Sequence, residues 1–256
     1  MSILQAALIA LFTYIAWIPS PWLGGQSISY QAFGKPLVAG LIVGLIMGDV
    51  TNGVIIGATI NAIYIGAVTP GGAVSSDINI AGYVGTALAL SSGVSAEVAV
   101  SIAVPLGLIG TLVWQLFGTV NSFLVHRADK YAAEANTKML GFMVLGLPQI
   151  IAFFLRFIPC FLVLYFGSSV AQSIVAYIPD WLTGVFTVIG GLLPAVGIAV
   201  LLKMLLTTPL MLGYFFVGYL AVAALHMPVF AVTVLGIGLA MISLVNKNLA
   251  KGGNND

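Results

Sequence analysis

Long apolar runs without a single charge are the feature that most constrains this chain. No Asp, Glu, Lys or Arg occurs before Lys35 or between Lys203 and Lys247. Over the whole sequence, 61% of the residues are hydrophobic and only 6% are charged. A soluble domain normally carries about 25% charged residues, because its surface must face water. The sequence therefore predicts a protein whose outer wall faces lipid, where a centrally placed charge costs about 2.5–3.5 kcal/mol.

A series of apolar segments lies between the charges and the Gly/Pro clusters. A membrane-spanning helix needs about 20 mainly apolar residues, each adding about 1.5 Å. The segments 37–48 and 80–92 are too short to cross, and they suit re-entrant or broken helices that pack inside protein or line a cavity. We therefore predict an all-α integral membrane protein, a polytopic helical bundle with re-entrant or broken helices. The predicted segments are 3–19, 37–48, 52–68, 80–92, 97–125, 141–166, 183–202, 208–225 and 228–246.

One polar stretch interrupts the interior of the chain. Residues 126–138 include three basic side chains, which are typical of cytoplasmic loops. The C-terminal residues 247–256 are also polar and basic, and we expect them to be frayed. We predict that residues 1–246 form the membrane-embedded domain with a cytoplasmic loop near 126–138, and that 247–256 form a cytoplasmic tail. The first apolar segment lacks a basic leader and a cleavage site, so we expect it to be retained.

Polar residues and helix breakers come together in the stretch 61–79. Pro70 removes a backbone donor and the adjacent Gly71 and Gly72 free the backbone, so we expect no continuous helix there. At bilayer depth, exposed peptide groups must be satisfied by protein, water or a polar ligand. Amides, hydroxyls and carboxylates can hydrogen-bond the hydroxyls of a sugar in both directions. The candidate substrate-binding residues are Asn61, Thr69, Gly71, Gly72, Ser75, Asp77 and Asn79.

A plainer interpretation of this stretch is an exposed turn between two helices, with Asp77 in water. The short apolar flanks, and Asn61 on the preceding segment, favour a re-entrant site. Arg156 and Lys203 lie inside apolar segments, where long basic side chains can reach the headgroup region. Either of them could instead neutralise Asp77, and the sequence leaves both options open.

Two other acidic residues are predicted to lie at helix termini. Asp49 follows a Gly and precedes an apolar segment, where its carboxylate can meet free N–H groups. Capping is the favoured role for Asp49, and contact with a substrate is the alternative. Glu97 is assigned in the same way to the start of the segment 97–125.

Several classes of function are disfavoured by the composition and motifs. The net charge of +1 offers no basic field for nucleic acid. Cys160 is the only cysteine, which excludes an internal disulfide and a cysteine-clustered metal site. The sequence has no GxxxxGK[ST] loop and no nucleophile–base pair, so we expect no catalytic residue, no metal and no cofactor. Energy for moving a solute would have to come from a gradient or a partner.

Several motifs together resemble one transporter family. The segment LysProLeuValAlaGlyLeuIleValGlyLeuIleMetGlyAsp ending at Asp49, followed by GlyValIleIleGlyAlaThr at 53–59, resembles the IIC membrane component of mannose-family phosphotransferase systems. The likeness continues through HisArgAlaAspLysTyrAlaAla at 126–133, the GlyGlyLeuLeuProAlaValGly run within 190–200, and TyrPhePheValGlyTyr at 214–219. The resemblance therefore covers nearly the whole chain.

The resemblance implies a sugar-translocating subunit in the bacterial cytoplasmic (inner) membrane, with several crossings. It implies pairing with a IID membrane subunit and assembly as a trimer of IIC–IID pairs. Soluble IIA and IIB components would pass phosphate from phosphoenolpyruvate to the sugar, so the chain itself would not be an enzyme. The alternative function is a gradient-driven sugar permease without phosphorylation.

One departure from the family pattern bears on the substrate. Where the family often has Gly-Gly-Thr-Leu-Glu, this sequence has GlyAlaThrIleAsn, which places the neutral Asn61 at the position of the Glu. This weighs against a plain mannose or glucose specificity, since a neutral site also tolerates a ligand carboxylate that a like charge would repel. The ThrProGlyGly break at 69–72 looks more like family members that serve amino sugars or uronate-containing disaccharides. We therefore expect an amino sugar or a related substrate.

Overall fold

The structure is a computed structural model that describes residues 1–65, 76–177, 180–206, 208 and 211–252. These residues contain α-helices joined by short 3-10 and π-helical pieces, and no strand occurs among them. This confirms the predicted all-α class. The helices are α1 (Ile3–Ile15), α2 (Pro36–Met47), α3 (Val50–Ile63), α4 (Ile78–Ser92), α5 (Ala96–Ala133), α6 (Thr137–Gly141), α7 (Leu147–Tyr177), α8 (Asp180–Leu205), α9 (Leu212–Ala223) and α10 (Val229–Gly252).

The chain combines long helices with helices too short to cross a membrane, as the sequence predicts. Among the described residues, the stretches Ala96–Ala133 and Thr137–Gly167 are long and apolar enough to cross a membrane. The π-helix Gln26–Phe33 and α2 can form a third span together, although they are bent by 72° relative to each other. The helices α1, α3, α4 and α9 are apolar but shorter than a bilayer requires. The prediction of a membrane protein with broken or re-entrant helices is therefore confirmed.

Helix α5 continues beyond its predicted apolar segment and takes in most of the polar stretch 126–138. Its 38 residues correspond to about 57 Å, well beyond the thickness of a bilayer core. Near its end, Lys130 Nζ lies 4.0 Å from Glu134 Oε1, an i,i+4 pair that supports a helix. Asn136 then caps α6 by accepting a hydrogen bond from the Met139 N–H. The polar stretch is thus mostly helical, and its cytoplasmic location remains a prediction.

The chain divides into two compact units, Met1–Leu201 and Leu202–Asp256. The first unit contains α1 to α7 and most of α8, and it holds the buried core. In the second unit α9 contacts α10, and the rings of Phe215 and Tyr219 stack with their centroids 6.3 Å apart. The predicted membrane-embedded domain 1–246 covers the first unit and residues 202–246 of the second.

Helices α2 and α3 form an antiparallel hairpin in which backbone packs directly on backbone. Gly40 and Gly44 of α2 face Gly53 and Gly57 of α3. A Cβ added at Gly40 would lie 2.8 Å from the Gly57 Cα, and one added at Gly53 would lie 2.7 Å from the Gly44 Cα. Small residues spaced by four allow membrane helices to approach this closely. Gly48, with φ of 83°, ends α2 and allows the sharp reversal.

Asp49 occupies the start of α3 and has the predicted capping role. Its carboxylate accepts hydrogen bonds from the Asn52 backbone N–H at 3.2 Å and from Asn52 Nδ2 at 2.8 Å. Glu97 lies in the first turn of α5, also as predicted. Both carboxylates therefore meet N–H groups that a helix leaves unpaired at its first turn.

Helix α4 lies at the centre of the first unit. Every residue from Ile78 to Ala89 is buried, and the helix contacts α2, α3, α5 and α7. Gly82 allows close contact with Pro36 of α2, and Gly85 allows close contact with Ala103 of α5. A helix of 15 residues that is enclosed by protein does not need to reach both faces of a bilayer. The fold therefore holds the N-terminus of α4 in the interior.

Candidate functional site

The C-terminus of α1 and the N-terminus of α4 meet inside the first unit. Asn79 Nδ2 donates to the carbonyl oxygen of Ala16 at 3.0 Å, and Ser29 Oγ donates to that of Ile15 at 2.5 Å. The last carbonyls of a helix have no partner within the helix, so side chains must satisfy them when they are buried. Side chains from other parts of the sequence thus supply the hydrogen bonds that the last carbonyls of α1 need.

Asp77 caps the opposing helix end. Its Oδ1 accepts from the Ile80 N–H at 2.9 Å, and its own N–H donates to the carbonyl oxygen of Gly107 in α5 at 2.8 Å. The residue is only 5% exposed. A carboxylate at this position is stabilised by the free N–H groups and by the positive end of the helix dipole. The alternative interpretation is therefore wrong in placing Asp77 in water.

Arg156 of α7 is the charge partner of Asp77. Its Nη1 donates to Asp77 Oδ2 and its Nη2 donates to Asp77 Oδ1 at 2.9 Å, so the two groups form a bidentate pair. Nη2 also donates to Asn79 Oδ1 at 2.7 Å, and Nε donates to the Thr13 carbonyl oxygen at 3.3 Å. The guanidinium lies over the ring of Trp17, 4.8 Å from its centroid. These contacts involve all three nitrogens of the guanidinium group and one of its faces.

Burial distinguishes Arg156 from Lys203, the other candidate partner. Arg156 has no exposed surface, whereas Lys203 is exposed on α8. Removing two charges from water is expensive, and the pair is stable only where geometry is good and the remaining hydrogen bonds are made. The contacts of Arg156 meet both conditions. Removing either member alone would leave a buried charge without compensation.

A small cavity adjoins the carboxylate of Asp77. Its volume is about 10 Å³, room for a single water molecule and not for a sugar. Near it, Ser76 Oγ donates a hydrogen bond to Tyr64 Oη at 3.2 Å. Residues with hydroxyl groups and indole rings thus line the cavity together with Asp77. The cavity is lined by Trp17, Ile18, Tyr30, Ser76, Asp77, Ile78 and Trp114.

The predicted site residues have different places in the structure. Asp77 and Asn79 lie together in the Arg156 network. Asn61 lies near the end of α3 with a partly buried side chain, which makes no hydrogen bond to another described residue. The remaining predicted residues, Thr69, Gly71, Gly72 and Ser75, lie outside the described residues.

Several residues of the Arg156 network and of the adjoining cavity could not be identified from the sequence as site residues. Thr13 contributes a backbone carbonyl, which no side-chain pattern can indicate. Trp17, Tyr30 and Tyr64 are aromatic residues in an apolar chain, where such residues are common. Arg156 did carry a signal, because a cation within an apolar segment requires a partner. In the part of the chain that the structure describes, no group of three His, Cys, Asp or Glu side chains is placed to hold a metal ion.

Comparison with known proteins decides the family. The model of the family described as the PTS (phosphotransferase system) sorbose-specific IIC component matches residues 3–242. The chain belongs to this family. This confirms the resemblance to mannose-family IIC components, and with it the assignment to sugar transport by a multi-pass membrane protein.

Individual relatives cover most of the chain. It is 29% identical to the fructose permease IIC component of Bacillus subtilis (strain 168), over 98% of this chain and 91% of that protein. It is 32% identical to the N-acetylgalactosamine permease IIC component 1 of Escherichia coli (strain K12), over 83% of this chain and 79% of that protein. A cryo-EM structure of the mannose transporter ManYZ in complex with microcin E492 (MceA) matches with a TM-score of 0.58 at 25% identity, over 95% of this chain and 96% of that one.

Proposed function

We propose that this IIC component binds a sugar at the helix break and hands it to partner subunits that phosphorylate it during uptake. Family membership supports the class of transport. The observation that carries the site is the junction where α1 ends and α4 begins, with a charge pair buried between them. Broken helices whose ends meet at a polar site are the usual way in which transporters present backbone and side-chain groups to a solute.

The position of Asp77 in the wall of the cavity supports it as a sugar contact. An ionised carboxylate has about four acceptor sites, and Asp77 uses three, one for Ile80 and two for Arg156. One acceptor site is left for a sugar hydroxyl. Ser76 and Tyr30 add hydroxyls beside it, and the two indole rings at the cavity offer apolar faces to a sugar ring. The small volume requires the cavity to widen before a sugar can enter.

The remaining candidate residues complete the proposed site. Asn79 has one amide N–H beyond its bonds to Ala16 and Arg156. The side-chain amide of Asn61 makes no hydrogen bond within the part of the chain that the structure describes, so we propose that it binds the ligand. We retain Thr69, Gly71, Gly72 and Ser75 as proposed contacts, because they lie in the polar break between the ends of α3 and α4.

We further propose that the substrate is an amino sugar or a related sugar. Between Asn61 and Asn79 the only charged residue is Asp77, and Arg156 neutralises it. A site without net charge suits an N-acetylated amino sugar, which carries a neutral amide. The relative named as an N-acetylgalactosamine permease component supports this class.

The proposed assembly follows the division of labour in the family. We propose a IID membrane subunit as partner, soluble IIA and IIB components as phosphate donors, and a trimer of IIC–IID pairs in the bacterial cytoplasmic membrane. The match to ManYZ supports a partner in the membrane. In this proposal the chain is the passage for the sugar, and phosphoryl transfer takes place on its partners.

The decisive test is the chemical state of the sugar after uptake. Membrane vesicles that contain the chain with its IID, IIA and IIB partners are given phosphoenolpyruvate and labelled N-acetylgalactosamine, fructose, mannose or sorbose. We expect sugar phosphate to accumulate only with phosphoenolpyruvate, and N-acetylgalactosamine to give the highest rate. Accumulation of free sugar that depends on an ion gradient would instead establish the gradient-driven permease.

The same assay tests the site. We expect Asn61→Ala to lower uptake about tenfold, which corresponds to the loss of about 1.4 kcal/mol, a typical hydrogen-bond contribution. Asn52→Ala is the matched control, because Asn52 lies at the exposed start of the same helix and its side chain bonds Asp49 and no other described residue. Equal uptake by both variants would remove Asn61 from the site.

A further inference from the structure

Arg156 makes contacts in the first unit beyond those needed to neutralise the charge of Asp77. The helix α7 contains no other Asp, Glu, Lys or Arg, and Arg156 is completely buried within it. We propose that Arg156 is a positioning residue of the translocation site, which orients Asp77 and Asn79 toward the sugar. This inference rests on the proposed function and deepens it, because it names a residue of α7, far from the break in sequence, as part of the same site.

The first support is the shape of the contact. Two nitrogens of the guanidinium bond the two oxygens of Asp77, and one of these nitrogens also bonds Asn79. A planar fork of this kind fixes both the distance and the rotation of a carboxylate. Lysine carries the same charge on a single nitrogen and cannot fix that rotation. The geometry therefore uses a property that only arginine provides.

The second support is the connection among three helices. Nε of Arg156 donates to the carbonyl of Thr13 in the last turns of α1, while its terminal nitrogens hold the cap of α4. A cation thus lies at the negative end of the α1 dipole, and Asp77 lies at the positive end of the α4 dipole. Each charge therefore stabilises the helix end beside it, and the two charges stabilise each other. A change in the position of α7 would be transmitted to both helix ends.

The third support is the position of the pair relative to the cavity. Asp77 and Trp17 both line the cavity, and Arg156 contacts both of them without lining it. The guanidinium therefore acts on a ligand only through neighbouring side chains. Its removal would leave the cavity walls present but wrongly oriented, and this predicts a change in sugar affinity that goes beyond lost stability.

The test compares Arg156→Lys with the neutral pair Asp77→Asn/Arg156→Gln in the complete vesicle system. The probe is whichever labelled sugar among N-acetylgalactosamine, fructose, mannose and sorbose gives sugar phosphate with the unmodified protein. We expect Arg156→Lys to raise KM about tenfold or more with a maximal rate within about threefold of the unmodified value. We expect the neutral pair to melt at nearly the unmodified temperature in detergent, yet to keep a raised KM. Lys203→Gln, which removes an exposed cation, is the control and should change neither quantity.

The outcomes separate the inference from the proposed function. An unmodified KM in Arg156→Lys, with only a lower melting temperature, would mean that Arg156 is purely structural and would overturn the inference. An unmodified KM in the neutral pair would mean that Arg156 only compensates the charge of Asp77, and this result would also overturn the inference. In both cases sugar phosphate would still form and the proposed function would stand. Failure of the unmodified complex to phosphorylate any of these sugars would overturn the proposed function, and the inference with it.

Discussion

Two junctions in the first unit hold in place helices that are too short to cross a membrane, namely α2 and α3 at one and α1 and α4 at the other, and they do so by different physical means. At the α2–α3 hairpin, four glycines bring two backbones into direct contact. At the α1–α4–α7 junction, a buried network of Asp77, Asn79 and Arg156 joins two helix ends to a third helix. The hairpin depends on the absence of side chains, and the polar junction depends on particular side chains in fixed orientations.

The difference indicates which junction is suited to function. Glycine contacts are satisfied by van der Waals packing alone and present no unpaired polar group to a ligand. The polar junction keeps charges, amides and helix ends beside a cavity, where a small movement changes their hydrogen bonds. Buried polar groups are costly when only partly satisfied, so the junction is also the point of greatest vulnerability.

The largest expected effect follows from removing one charge of the polar junction. Arg156→Gln leaves the Asp77 carboxylate buried without a cation, and we expect the free energy of unfolding to fall by about 3–5 kcal/mol. Adding Asp77→Asn to this variant removes the second charge, and we expect it to restore most of the loss. The measurement is the unfolding midpoint of the purified protein in mixed micelles.

The double variant is what makes this prediction informative. If it were as unstable as Arg156→Gln, the shape of the side chains and not the unpaired charge would explain the loss. The polar junction would then resemble the glycine hairpin, where packing alone decides stability.

A smaller effect is expected at the hairpin. A Cβ at Gly40 would lie 2.8 Å from the Gly57 Cα and closer still to the carbonyl oxygen of Gly53, so Gly40→Ala must separate the two backbones. We expect a loss of about 1–3 kcal/mol, as for overpacking in other cores. The matched control is Gly118→Ala in α5, where an added Cβ meets no atom within 4 Å and alanine favours the helix by about 0.5–1 kcal/mol. Equal losses at both positions would show that the hairpin does not depend on close contact.

The sequence predicts the positions of the helices better than it predicts the network. Apolar runs and Gly/Pro breaks locate the core of every described α-helix except the short α6, because burial in lipid or protein requires continuous hydrophobicity. They underestimate α5, whose polar last turns extend past the predicted end of the segment 97–125. The capping role of Asp49 is also predictable, since the helix that it caps follows directly in sequence.

Such local patterns cannot predict the buried network, because its members are far apart in sequence. Asp77 and Arg156 are separated by 79 residues, and Asn79 meets Ala16 across 63. The sequence offered two cations for one carboxylate, and only the packing of α7 against α4 selects Arg156 over Lys203. Two of the four residues that contact the guanidinium also do so through groups that sequence patterns do not distinguish, a backbone carbonyl and an aromatic ring.

The smallest effect is expected at Asp49, which has the same capping role as Asp77 in a partly exposed setting. Asp49→Ala removes the acceptor of the Asn52 N–H, and we expect a loss of about 1 kcal/mol. Asp49→Asn should lower the free energy of unfolding by only about a few tenths of a kcal/mol, because asparagine caps a helix nearly as well as aspartate. Asp77→Asn should lose several kilocalories per mole by the same unfolding measurement, because it leaves Arg156 buried without its anion. Equal losses from the two Asp→Asn changes would show that capping alone, and not the pair with Arg156, accounts for the stability of the polar junction.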